Sequence, residues 1–170
     1  MSYPTAPEPD LAIEATVLEA LQDAVALARH GDRRRARERC AAVIFQAQPL
    51  IAARPVLLRA TLHALLAAGQ FRLLARLIGA ISGRRIELVL LPANADAIGL
   101  PRAREGPRHT TYTLDPHWLE RLSPDDIFVR HLCNLALPAR DAVQPPNQDS
   151  QGGGPGATRK ARVGVANTAW

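Results

Sequence analysis

Aromatic residues make up only 4% of this 170-residue chain, and lysine occurs once, as Lys160. With so few rings, a hydrophobic core has to be built from Leu, Ala, Val and Ile, which favours helix-on-helix packing over an aromatic-rich sheet or sandwich. Apolar residues nevertheless amount to 47% of the chain. The composition is therefore that of a folded protein, and the length suits one domain.

Cysteine is scarce as well: Cys40 and Cys133 are too few and too isolated to indicate a disulfide framework or a zinc site. His117, His131 and Cys133 do not have the spacing of ligands in common metal sites. No basic and apolar leader opens the sequence, and Arg or His interrupts every apolar run before ~18 residues. We therefore expect a cytoplasmic protein with no membrane span and no cofactor.

Helical periodicity extends from residue 10 to residue 83, where apolar residues recur at steps of three and four. Glycines and prolines divide this stretch into four helices: Asp10 to His30, Asp32 to about Pro49, Pro55 to Gly69, and Gln70 to Gly83. The apolar face of the first helix is predicted from its spacing: Leu11, Ala15, Leu18, Leu21, Val25 and Ala28. Residues 50–54 are either a connection or an extra turn.

The pattern changes after Gly83. Residues 85–92 fit a buried strand or one more helix, residues 93–108 a long loop, and residues 109–114 a second strand, which allows a short β-hairpin across that loop. Asp115 and Ser123 each precede a proline and are predicted to cap two short helices.

These elements predict a mainly α fold of two stacked antiparallel helical hairpins, followed by a mixed segment. We expect a flexible arm over residues 1–9 and a single domain over 10–138. Within that domain the hairpins occupy 10–83 and a capping segment 84–138. Residues 139–170 are rich in Pro, Gln and Gly and are expected to form a disordered tail.

The two hairpins resemble each other. Leu-Ala-Arg-His-Gly-Asp at 27–32 and Leu-Ala-Ala-Gly-Gln-Phe at 66–71 both lead into an Ala-rich or Leu-rich helix, and Gly31 and Gly69 lie 38 residues apart. Residues 16–82 thereby resemble the tetratricopeptide repeat, whose period is ~34 residues. Matching packing positions in the first unit are Ala20, Ala24, Leu27, Ala36, Cys40 and Val43. The chain departs from the pattern at Leu74, where a small residue is expected, and at Pro49, one place late.

The resemblance implies a non-catalytic protein-interaction module, an adaptor or chaperone-like protein that binds another protein or a peptide in a groove lined by the first helix of each hairpin. Small proteins of this kind occur as accessory components of bacterial secretion machines, which is one role it implies. The residues predicted to contact a partner are Arg33, Arg34, Arg37, Leu62, His63, Leu66 and Phe71.

A nucleic-acid-associated regulator is the alternative, because the formal net charge is +5. The residues that would serve it are Arg33, Arg34, Arg35, Arg37 and Arg39, together with Arg159, Lys160 and Arg162 of the tail. Almost all of this charge is arginine, which is also typical of GC-rich coding. Sub-micromolar binding to duplex DNA that collapses with added salt would support this alternative.

A small enzyme is the second alternative. His109, Asp115 and His117 are the densest group of residue types that perform acid–base catalysis. They lack a recognisable nucleophile, and a capped surface turn explains them equally. The favoured interpretation is therefore a protein that is not an enzyme; its oligomeric state does not follow from the sequence.

Overall fold

The computed structural model describes residues 9–137. The helices in this range are α1 (Pro9–Arg29), α2 (Arg33–Ala53), α3 (Pro55–Ala67), α4 (Phe71–Ser82), α5 (Pro116–Glu120) and α6 (Ile127–Ala136). The strands are β1 (Ile86–Leu90), β2 (Arg102–Glu105) and β3 (Thr110–Leu114). The predicted mainly helical first part, followed by a small mixed segment, is confirmed in these residues. The predicted arm, apart from Pro9, and the predicted tail lie outside them.

The turns between the first helices form where the glycines predict them. Gly31 and Gly69 both have a left-handed backbone, with φ of 87° and 67°, a conformation that costs glycine little. Asp32 Oδ1 accepts a hydrogen bond from the Arg35 amide (3.1 Å) and so caps the start of α2. The short turn after α1 lets α2 pack against α1, and the short turn after α3 lets α4 pack against α3.

The second helix continues past Pro49 to Ala53, so the extra turn, one of the two alternatives predicted for residues 50–54, is the one that forms. Ala47 leaves the helical region, with φ −124° and ψ 15°, so α2 has a kink. Pro49 has no backbone N–H to donate to the carbonyl of the preceding helical turn, which explains why the helix is kinked at this place. The extra turn is retained because Ile51 is completely buried in the core.

The buried face of α1 is rotated from the predicted one. Val17, Leu21 and Ala24 are buried, whereas Leu11 is 54% exposed. Leu18 and Val25 are only partly buried. The predicted apolar face combines residues from two stripes of α1: one stripe packs in the core, and the stripe beside it stays partly accessible to solvent.

The third helix is the centre of the core and packs against α1, α2, α4, α5 and α6. Almost every residue from Leu57 to Leu66 is buried. An α-helix that is apolar on all sides is stable only where neighbours surround it. The polar residue Thr61 is accommodated because its hydroxyl donates to the Leu57 carbonyl (2.7 Å).

The sheet differs from the predicted hairpin. β1 pairs with β3 in parallel, with Leu88 opposite Tyr112, and β2 pairs with β3 antiparallel, with Ala103 opposite Tyr112. The strand order is therefore β1-β3-β2, and the segment predicted as a loop contains β2. β2 was missed because all four of its side chains are exposed, so it has no apolar alternation.

The two short helices cover one end of this core. Asp115 caps α5 as predicted, accepting from the His117 amide (2.9 Å). α6 begins later than predicted: Asp126, not Ser123, is its N-cap and accepts from the Phe128 amide (2.8 Å). Ser123 Oγ instead accepts from the Asp125 amide within the preceding turn (3.2 Å).

Truncation of Leu62 tests whether α3 is the centre of the core. Leu62→Ala should lower the free energy of unfolding by about 3 kcal/mol, because the side chain is fully buried and its loss leaves a cavity. Phe45 on α2 is 90% exposed, so Phe45→Ala should change that free energy by less than about 0.5 kcal/mol. Chemical denaturation measures both values, and similar losses in the two variants would contradict this packing.

Candidate functional site

A groove of about 740 Å³ lies between α1 and α3, and we call it the α1/α3 groove. Its lining from α1 and the residue after it is Leu18, Leu21, Gln22, Val25, Ala26, Arg29 and His30. From α3 it is lined by Val56, Arg59, Ala60 and His63, and from the turn before α6 by Pro124 and Asp125. Both helices contribute residues three and four apart, which places them in rows along one face of each helix.

The groove combines an apolar wall with a polar rim. Val56 is 62% exposed on the wall, although it is a large hydrophobic residue. On the rim, Arg59 Nη1 lies 3.5 Å from Asp125 Oδ1. Apolar walls with a few polar groups are typical of sites that bind another molecule. The arrangement offers binding area, and no nucleophile lies among the lining residues.

One backbone carbonyl closes the groove at the α5–α6 connection. Arg29 Nη2 and His63 Nε2 both donate to the carbonyl oxygen of Leu122, each at 3.2 Å. The carbonyl can only accept, so the proton of neutral His63 lies on Nε2. The contact attaches the α5–α6 connection to both walls of the groove.

The imidazole of His63 is held neutral. Burial lowers its pKa from 6.5, since the charged form loses water. The Leu122 carbonyl and Asp126 oppose this shift, and the positive charge of Arg29 adds to it. His63 is thus a structural histidine at the base of the groove.

Of the residues predicted to contact a partner, His63 alone lines the groove. Leu62 and Leu66 are buried in the core, so a partner cannot reach them without opening α3. Arg37 lies on α2, and its Nε donates to the Ala68 carbonyl (3.2 Å), bracing the turn at Gly69. Phe71 begins α4 and packs partly against the core.

The arginines of α2 are mostly engaged with neighbours. Arg34 pairs with Glu38 at 3.0 Å, Arg35 with Asp32 at 3.6 Å, and Arg39 with Asp23 at 3.3 Å. Exposed pairs of this kind contribute little stability, but they offset much of the positive charge on α2. Arg33 makes no ion pair with the residues described. The other predicted nucleic-acid residues, Arg159, Lys160 and Arg162, lie outside the described part of the chain.

The structure separates His109 from Asp115 and His117, which remain neighbours at the start of α5. His109 precedes β3 and His117 follows it, so the five residues of the strand, roughly 16 Å long, separate them. His109 Nε2 lies 3.5 Å from Glu87 Oε2, and His117 Nδ1 lies 3.8 Å from Glu120 Oε2.

Asp115 is fully used as a structural carboxylate. Besides capping α5, its Oδ2 accepts from the amides of Ile98 (3.0 Å) and Gly99 (3.1 Å). These amides, Gly99 first, hold the pKa of the carboxyl below its ordinary value. A carboxylate held ionised in this way shapes the loop before β2 and is a poor proton donor.

Four rings form an aromatic cluster that residue spacing does not predict. Tyr112, Trp118, Phe128 and His131 pack edge to face or stacked, with ring centroids 5.2 to 6.2 Å apart. The Tyr112 hydroxyl and His131 Nε2 are hydrogen-bonded at 2.9 Å. Strand, short helix and α6 meet here, so the cluster attaches the sheet to the helices. Its members lie up to 19 residues apart, and spacing alone does not predict their contact.

Within residues 9–137, no group of His, Cys, Asp and Glu side chains is arranged to hold a metal ion. No helix in the same range is both long and apolar enough to cross a membrane. Comparisons of the chain with protein-family models, with curated proteins and with solved structures find no significant match.

The stability of the protein should fall as the pH drops below about 6.5. Burial lowers the pKa of His63 and of His131 in the folded state, so the unfolded chain takes up protons first and is favoured as the pH falls. The stabilisation is complete above the unfolded pKa and is lost below it. Thermal unfolding between pH 7.5 and 5 measures this slope.

His63→Gln should make the slope shallower, because it removes one of the two histidines whose pKa is lowered by burial. His30→Gln is the matched control, since the His30 side chain is exposed and forms no ion pair with the residues described, and it should leave the slope unchanged. An identical slope in the wild type and in His63→Gln would rule out this assignment.

Proposed function

We propose that the protein is a non-catalytic interaction module that accepts a segment of a partner protein in the α1/α3 groove. The observation that supports this most directly is Val56, a large apolar side chain left mostly exposed on the wall of a 740 Å³ groove. Exposed apolar surface rimmed by polar residues is characteristic of sites where another molecule binds.

The proposal includes a tetratricopeptide-like stacking of the two hairpins. Three features are consistent with it: the left-handed turns at Gly31 and Gly69, the packing of α3 against both α1 and α2, and a groove lined by the first helix of each hairpin. Two units are fewer than such arrays usually need. α6 packs on α3 and α4, the second hairpin, which suits the capping role expected for residues after Gly83.

The dimensions favour a helical segment as the occupant. The α1 wall runs from Leu18 to His30, about 18 Å at 1.5 Å per residue, which corresponds to roughly three turns of a bound helix. Leu18, Val25, Val56 and Ala60 would meet its apolar stripe. Arg29 and Arg59 on the rim outnumber Asp125, so an acidic residue of the partner is favoured beside them.

The biological role we propose is that of an adaptor or chaperone-like accessory protein, with a bacterial secretion system as one setting and the cytoplasm as the compartment. Catalysis is not part of the proposal, because His109 lies at the opposite end of β3 from Asp115 and His117. The Asp115 carboxylate is also occupied by three backbone amides.

Substitution of Val56 tests the groove. Val56→Glu places a carboxylate on the apolar wall, and it should weaken capture of the partner from the source cell at least about tenfold, because the charge loses water when the partner binds. Val56 lies in the first turn of α3, where a negative charge is favourable for the helix. The fold should therefore be retained, which circular dichroism checks.

Phe45→Glu is the matched control, since Phe45 is a more exposed apolar residue on α2 and does not line the groove. It should leave capture unchanged. Equal capture by Val56→Glu and the wild type, or equal loss in both variants, would count against the groove as the binding site.

A further inference from the structure

A second cleft, of about 550 Å³, lies at the end of the three-stranded sheet where β1 and β3 begin, and we call it the arginine cleft. It lies where the connection from α4 to β1 meets the turn between β2 and β3. The first segment contributes Arg84 and Arg85, and the second contributes Arg108 and His109. These residues are separated by more than twenty positions in sequence, and the sheet brings them together.

Backbone hydrogen bonds fix both segments. The Thr110 amide donates to the Arg85 carbonyl (3.1 Å), which ties the α4–β1 connection to the start of β3. The Gly106 amide donates to the His109 carbonyl (2.9 Å) and closes the β2–β3 turn. A Cβ at Gly106 would lie only 3.0 Å from that same carbonyl, so the turn is tight. The arginines are thus carried on defined turns rather than on a long loop.

The charges in this cleft are not balanced. Arg84, Arg85 and Arg108 form no ion pair within 4 Å with any residue between 9 and 137, whereas four of the five α2 arginines have a protein partner. The one carboxylate in the lining is Glu105. An anion bound in the cleft would offset this excess of positive charge.

We propose that the arginine cleft binds a phosphate monoester, with Arg84, Arg85 and Arg108 contacting the phosphate group. Planar guanidinium groups match phosphate oxygens in pairs of hydrogen bonds, which makes arginine suited to this ligand. The cleft is larger than a phosphate ion needs, and Ile86 and Leu135 in its lining offer apolar contact to the organic part of the ester. This site is separate from the α1/α3 groove and does not depend on the function proposed for it.

Titration of the full chain with inorganic phosphate, at constant ionic strength set with sodium chloride, tests the proposal. Amide NMR signals of residues 84–86 and 106–110 should shift and saturate in the millimolar range. The same titration is repeated with ribose 5-phosphate and with a phosphoserine peptide, which both carry a phosphate monoester. The ligand with the lower dissociation constant identifies whether the phosphate comes from a small metabolite or from a protein.

Arg84→Gln and Arg108→Gln should each weaken phosphate binding about tenfold, because each removes a charge-assisted hydrogen bond. Arg33→Gln is the matched control: it removes the same charge from an exposed position on α2 and should leave the dissociation constant unchanged. Two variants on different segments guard against a local folding defect in either one. Shifts that do not saturate, or an equal effect of Arg33→Gln, would overturn the proposal.

Discussion

The burial of α3 is the constraint on which the rest of the described structure depends. Eight of the 13 residues of α3 are buried, and such a helix is stable only where neighbours cover it, so α1, α2, α4, α5 and α6 are arranged around it. Its two buried polar side chains fit because each finds a carbonyl: Thr61 in its own helix, and His63 at Leu122. The connection between α5 and α6 is therefore part of the core, although it lies about 60 residues away in sequence.

The groove is a consequence of the same packing. α1 covers α3 with Val17, Leu21 and Ala24, and the stripe beside them, which contains Leu18 and Val25, remains partly accessible. α3 contributes Val56 and Ala60 where no further helix covers its first turns. Filling this groove with an additional helix would bury more apolar surface, which is the physical basis for proposing that a partner does so.

Local signals in the sequence predicted local structure well. Gly31 and Gly69 form the predicted turns, because glycine adopts a left-handed backbone without steric cost. Asp32 forms the predicted cap, because its carboxylate accepts from an amide only three residues away. The periodicity between residues 10 and 83 predicted four helices for the same reason. Kinks and burial were less predictable: Ile51 keeps α2 helical beyond Pro49 through contacts that the sequence does not display.

Pairings between distant segments could not be inferred in this way. The parallel pairing of β1 with β3 and the presence of β2 depend on which strand edges meet after the helices have packed, and the exposed residues of β2 leave no apolar pattern. The candidate sites are non-local too. Spacing selected Leu62 and Leu66, which face the core, and passed over Val56. Only the parallel pairing of β1 with β3, which places Ile86 opposite Thr110, brings Arg84 and Arg85 beside Arg108. Sites assembled from separate segments are therefore visible in the fold while the sequence shows only their parts.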